Sequence, residues 1–208
     1  MNLKIRPRLA AIASALAAAT LLGACAPLIV GGAMVGGTLM ATDRRTSGAQ
    51  VKDQGIELKA LNRVREVVGE RGHINITSYN RQVLLTGEVP NEADKAAVEQ
   101  AVARIENLRS IVNELAVMGN TSLTSRSNDL ILGSKVKASF VDAKDIFANS
   151  FKVVTERGTV YLMGRVTERE ATRGSDIARS VSGVQKVVRV FEILTEAELA
   201  DLAPKQVK

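Results

Sequence analysis

The side chains of this 208-residue sequence that could do chemistry are one thiol, one imidazole and a scatter of carboxylates. Cys25, the only cysteine, closes the run Leu22-Gly23-Ala24-Cys25. Upstream lie Lys4, Arg6 and Arg8 and then an uncharged stretch from Leu9 to Leu22, rich in Ala and Leu, which is the cationic and apolar order of a secretory signal. A thiol at the end of such a segment is expected to be a lipid attachment site. With Cys25 so committed, His73, the only histidine, has no cysteine beside it, so neither a His-Cys nucleophile pair nor a multi-histidine metal site can be built. His73 reads as an exposed turn residue before a strand. Glu168 and Glu170 form a carboxylate pair, but within a helix-opening run where solvation is the ordinary explanation. The expectation is therefore no catalytic residue, no metal and no cofactor.

The N-terminal segment resembles a bacterial lipoprotein signal peptide with its lipobox. That resemblance implies cleavage before Cys25, a diacylglycerol on its thiol and a further acyl chain on the freed amine, and two or more chains anchor stably where one does not. Ala26, in place of the Asp often found after the cysteine of lipoproteins kept in the inner membrane, implies the outer membrane, facing the periplasm. The alternative is an uncleaved anchor, since the uncharged run continues from Ala26 to Thr42. Gly31, Gly32, Gly36 and Gly37 within it favour a flexible tether instead.

Once residues 1–24 are removed, 25 basic and 22 acidic residues remain, a net charge of about +3 rather than +6. No second cysteine exists for an intramolecular disulfide, so the fold rests on packing. Trp is absent and aromatics make up 3% of the chain, which argues against a stacking platform for sugars or single-stranded nucleic acid.

The elements that must position any site come in two copies. Asn75–Val89, NITSYNRQVLLTGEV, aligns with Lys152–Val166, KVVTERGTVYLMGRV; Val83 falls on Val160, Leu85 on Leu162 and Gly87 on Gly164. Further on, Ile105–Val112 aligns with Val181–Val188. Each copy reads as helix, strand, strand, helix, strand. Apolar positions at helical spacing lie between Asp53 and Gly69, alternation begins at Ile74, and the breaks at 80–82 and 156–158 make each strand pair a hairpin. Pro90-Asn91-Glu92 and Thr167-Glu168 open helices with acidic first turns, and the closing strands are Ser110–Val117 and Lys186–Leu194. Gly87 and Gly164 are assigned structural roles where helix and strand converge, through close approach or a positive φ.

This repeat, with its Val-x-Leu-x-Gly-x-Val core, resembles the BON domain over roughly residues 50–195. The organisation expected is a signal peptide at 1–24, a lipidated N-terminus and tether at 25–49, one domain at 50–118, a linker at 119–127, a second domain at 128–195 and a tail at 196–208. The fold class is α+β, with two tandem BON domains whose helices pack on three-stranded mixed sheets. The resemblance implies a non-enzymatic lipoprotein that binds anionic phospholipid, such as phosphatidylglycerol, through its second domain. It also implies a part in outer-membrane integrity, in some bacteria at division sites.

Charge points to the same domain. Gln50–Met118 carries nine basic and ten acidic residues, whereas Ser127–Leu194 carries eleven and eight. Anionic headgroups attract each Lys or Arg near the surface by roughly 1 kcal/mol. In the first helix of the second copy, Leu132, Val136 and Phe140 recur every fourth residue, align with Ala60, Val64 and Val68, and should face the sheet. Leu130 and Ile131 lie off that stripe. Followed by Lys135 and Lys137, they suit shallow insertion with lysines on phosphates, and Lys59 is the first-copy match of Ile131. The resemblance implies an aromatic residue at Ile131; an aliphatic one inserts more weakly at the interface. The rival expectation is an adaptor that holds another envelope protein through the two domains.

Overall fold

The computed structural model describes residues 43–202. The first domain opens with α1 (Ser47–Val68), whose N-terminus is capped by Thr46 accepting from the Ala49 amide and whose C-terminus stops at Gly69 with φ +55°. Ile56, Ala60, Val64 and Val68 make its buried stripe. Then β1 (His73–Tyr79) and β2 (Gln82–Val89) pair as an antiparallel hairpin. Both turn residues, Asn80 and Arg81, have positive φ (48° and 67°), as a two-residue turn matched to strand twist requires. After α2 (Glu92–Ala103), capped by Asn91, the chain returns parallel to β2 as β3 (Ser110–Asn113) and β4 (Ala116–Val117). The single strand expected over Ser110–Val117 is thus interrupted. The Leu115 amide is taken by Asn113 Oδ1 instead of a ladder partner, which lets Leu115 turn into the core.

The second domain repeats the plan with α3 (Leu123–Asp142), a 3-10 turn (Ala148–Ser150), β5 (Lys152–Glu156), β6 (Thr159–Thr167), α4 (Glu168–Ser180) and β7 (Lys186–Leu194). Here the parallel strand β7 pairs with β6 along all nine residues without a break. The expected tail at 196–208 begins with a short helix, α5 (Glu196–Leu202), set against β6 and β7.

Each domain has a core between helices and sheet, built on Val83, Leu85 and Val89 in one and Val160, Leu162 and Val166 in the other. The alternate residues of the same strands face the opposite way. Tyr79, Leu84, Tyr161, Met163 and Val190 meet in a third apolar cluster, so the sheets pack face to face with the helices outside. Fully burying one such side chain is worth roughly 1.5–3 kcal/mol. Burial raises the pKa of both tyrosines in this cluster, Tyr79 and Tyr161, to about 12.

Polar pairs ring that cluster. Arg157, from the β5–β6 turn, reaches the fully buried Glu88 and the Gly87 carbonyl, while Asn80, from the β1–β2 turn, donates to Glu192 Oε2 at 2.6 Å. Residues 43–46 tie into both domains. Arg45 binds Asp53 at 2.9 Å and lies over the Tyr79 ring, whereas Arg44 forks onto both oxygens of Glu170 at 2.7 Å. The tether expected at 25–49 therefore includes at its end residues that are packed, since α1 begins at Ser47. The rest of that tether, with Cys25 and the signal segment, lies outside the described residues.

The two copies correspond through a shared carboxylate. Asp53 accepts from the Asn80 and Arg81 amides and Asp129 from the Arg157 and Gly158 amides, each closing its own hairpin turn from the first helix. This corrects the helix alignment by one turn. Leu132, Val136 and Phe140 correspond to Ile56, Ala60 and Val64; Ile131 corresponds to Gly55, and Lys135 to Lys59. A stripe of four-residue period matches itself when slipped by four, so apolar spacing alone does not fix the register.

Gly87 and Gly164 lie inside β2 and β6 rather than against a helix. A Cβ on Gly87 would stand 2.0 Å from the His73 carbonyl oxygen, and one on Gly164 2.3 Å from that of Ser150. What they admit is a neighbouring backbone, and only Gly87 of the two also holds a positive φ, +111°.

Candidate functional site on the outer face of α3

Among the described residues, no group of three or more His, Cys, Asp or Glu is placed to hold a metal ion. His73 opens β1 and is partly buried. The carboxylates Glu168 and Glu170 part company. Glu168 is exposed, but Glu170 is buried, where it completes a capping box with Thr167 and pairs with Arg44, so the solvated reading does not hold for it. Burial alone would raise the Glu170 pKa; the Arg44 fork and the Thr167 amide outweigh it and hold the carboxyl below its usual range.

The residues singled out for membrane contact lie together on α3. Leu132, Val136 and Phe140 are buried, whereas Leu130 is 75% exposed and Ile131 56%. Sequence reasoning misses two more members of the same face, Leu123 at 78% and Val141 at 73% exposure. At about 100° per residue, Leu123, Leu130 and Val141 fall within roughly 20° of one another. Ile131 bounds the other side, with the small residues Ser134 and Ala138 between. The spacing of 7 and 11 residues that links these three is the available signal.

Lysines flank the stripe. Lys137 projects beside its Leu130 edge and Lys135 beyond its Ile131 edge, both exposed and neither paired with another group among the described residues. Only Asp142 adds an exposed acid to this helix, since Asp129 is turned inward. A helix lying flat on a bilayer would put apolar side chains into the acyl boundary and let lysines reach the phosphates. The first domain's equivalent, α1, exposes only Val51 and Leu58. No helix among the described residues is long and apolar enough to cross a membrane.

Two α+β units of this plan, hairpin plus parallel return strand, define the class: the chain matches the BON domain family at residues 53–119 and 128–195 and belongs to it. It is 37% identical over 186 residues to Outer membrane lipoprotein DolP of Haemophilus influenzae, covering 88% of this chain and 95% of that one. It is 30% identical over 151 residues to the 21 kDa hemolysin of Actinobacillus pleuropneumoniae, covering 72% and 78% respectively. The chain is an outer-membrane lipoprotein with two BON domains. Among solved structures it is similar to the C-terminal domain of CdsD, the structural protein of the Type III secretion system of Chlamydia trachomatis. That likeness has a TM-score of 0.29 and 12% identity and covers 65% of this chain and 97% of that one, too distant to carry an argument.

Proposed function

We propose that this protein, acylated at Cys25, works without enzymatic chemistry by holding its second domain against anionic phospholipid, phosphatidylglycerol in type, and that this contact supports outer-membrane integrity. The observation that carries the reading is the exposed apolar stripe Leu123, Leu130, Ile131 and Val141, bordered by Lys135 and Lys137, which have no partner among the described residues. The excess of basic residues in the same domain acts in the same direction. An apolar stripe without flanking cations would suit a protein partner equally well; the lysines tip the balance to a phosphate-bearing surface.

Vesicle flotation of residues 43–202, which hold all three apolar clusters and no acyl anchor, tests it. The fragment should float with phosphatidylglycerol vesicles and not with purely phosphatidylcholine ones. Ile131→Glu should weaken binding on the order of tenfold, from partial loss of aliphatic burial plus repulsion by the anionic surface. Gly55→Glu places the same charge at the corresponding point of α1, where nothing lies within 4 Å, and should change binding less than about twofold. A fragment that stays in solution with every vesicle would favour the adaptor, and equal losses in the two variants would remove α3 as the contact.

A further inference from the structure

The two domains differ at the corner between first helix and edge strand. In domain 1 a carboxylate fills it: Glu57 Oε1 accepts from the Ser78 amide at 2.7 Å and from Lys152 Nζ at 3.1 Å, while Ser78 Oγ donates to Asp53 at 2.8 Å. The correspondence of Asp53 with Asp129, and of the two hairpin turns, puts Gly133 at the place of Glu57 and Thr155 at the place of Ser78. Domain 2 therefore keeps the donors and lacks the built-in anion. Gly133 leaves a cleft of about 330 Å³, walled on its far side by His73 and Asn75 of domain 1.

The groups around that cleft are suited to an oxyanion. Among the described residues, neither the buried Thr155 Oγ1 nor the buried Arg126 Nε has a hydrogen-bond partner, and both lie on the cleft lining. Arg126 stands where domain 1 has Gln50, and Lys137 where it has Leu61, so domain 2 places two cations here where domain 1 has none. Two acids also line the cleft but are already engaged. Both oxygens of Asp129 accept turn amides, and Glu156 accepts from Asn75 Nδ2 at 2.8 Å. Leu130 forms the lip, which joins the cleft to the apolar stripe.

We infer that this cleft seats the phosphodiester of an anionic phospholipid, its oxygens accepting from Arg126, Lys137 and Thr155 in the position Glu57 occupies in domain 1. The inference rests on the membrane reading of α3 and adds a specific headgroup seat to it. The acyl chains leave past Leu130 along the stripe. A charge-assisted hydrogen bond from a guanidinium is roughly twice as strong as a neutral one, so Arg126 should matter more than an average surface cation.

Flotation with phosphatidylglycerol vesicles and amide NMR of residues 43–202 test this together. Arg126→Gln, which installs the domain 1 residue, should lower vesicle affinity by roughly tenfold and Thr155→Val by about threefold. Lys144→Gln removes the same charge from an exposed position off the cleft and should cost less than about twofold. Glycerol 3-phosphate should shift the Gly133 and Thr155 amides of the unsubstituted fragment and not those of Arg126→Gln. Equal losses for Arg126→Gln and Lys144→Gln would mean diffuse attraction and overturn the seat. Unchanged affinity in Arg126→Gln and Thr155→Val, with Ile131→Glu still defective, would remove the cleft and leave the α3 reading standing. Amide shifts from phosphate with no vesicle binding at all would make it a site for a free anion and overturn the lipid assignment.

Discussion

Gly87→Val is expected to abolish the cooperative melting of domain 1. The residue lies in the β1–β2 hairpin, paired with Ile74, at φ +111°. A non-glycine residue held at such a φ costs about 1–3 kcal/mol. The steric cost is greater still: with its Cβ 2.0 Å from the His73 carbonyl oxygen, the side chain forces β1 away from β2 at the end of the ladder. Opening there also strips cover from Glu88, which is fully buried next door and paired with Arg157 across the domain junction. Together these amount to about 4 kcal/mol or more, a large part of the 5–15 kcal/mol typical of a whole domain. Hydrogen exchange should show the His73–Tyr79 amides losing protection first. Gly164→Val meets the Ser150 carbonyl oxygen at 2.3 Å but needs no positive φ, so its cost should be lower, and Gly119→Val, with nothing within 4 Å, should be close to neutral. A Gly87→Val protein that melts like the original would show that the hairpin tolerates a side chain there.

The hairpins, the helices and the repeat are legible because each is written in local spacing. The Val83–Leu85 and Val160–Met163 runs carry a further signal. Strands apolar at consecutive positions are buried on both faces, and these bury one face under helices and the other against the opposite sheet. The polar partners of that junction are not legible. Arg157 to Glu88 and Asn80 to Glu192 join residues 69 and 112 positions apart, and neither residue of either pair differs in type from an ordinary solvated one. Glu170 reads as solvated for the same reason, since the arginine that buries it stands 126 positions away.

The exposed apolar stripe of α3, which we propose faces lipid, is legible in part. Leu130 and Ile131 stand out as adjacent apolar residues off a clear core stripe, which is a local observation. Leu123 and Val141 lie two turns before and three turns after Leu130, and their exposure depends on which face the sheet takes. The cleft is invisible to alignment because it depends on the helix register, and that register is fixed by Asp53 and Asp129 reaching their hairpin turns. Only with that correspondence does Gly133 become the absence of Glu57.

Arg44→Ala is expected to loosen the attachment of residues 43–46 to domain 2 and to do so in a pH-dependent way. The Arg44 guanidinium grips both Glu170 oxygens at 2.7 Å, donates to the Arg165 carbonyl at 2.9 Å and lies 5.9 Å from the Phe147 ring centroid. Both partners are shielded, with 9% and 1% of the side chain exposed. Removing one member of a buried pair leaves the other uncompensated and costs about 3 kcal/mol at neutral pH. Glu170 titrates below its ordinary 4.5 in the folded protein, so near that pH the unfolded chain binds more protons and the pair's stabilisation is lost as pH falls. In Arg44→Ala the fork is gone and burial dominates, so the remaining carboxyl favours its protonated form. The gap between the two proteins should therefore be widest above about pH 5 and shrink as the pH drops through 4.5. Glu192, lowered by Asn80 and Arg109 against its burial, and Glu156, raised by burial, titrate in both proteins and cancel in the comparison. Urea unfolding of the two proteins at pH 7 and pH 4 measures it; a difference in stability that stays constant between those values would mean that Arg44 acts through packing on Phe147 and not through the Glu170 charge.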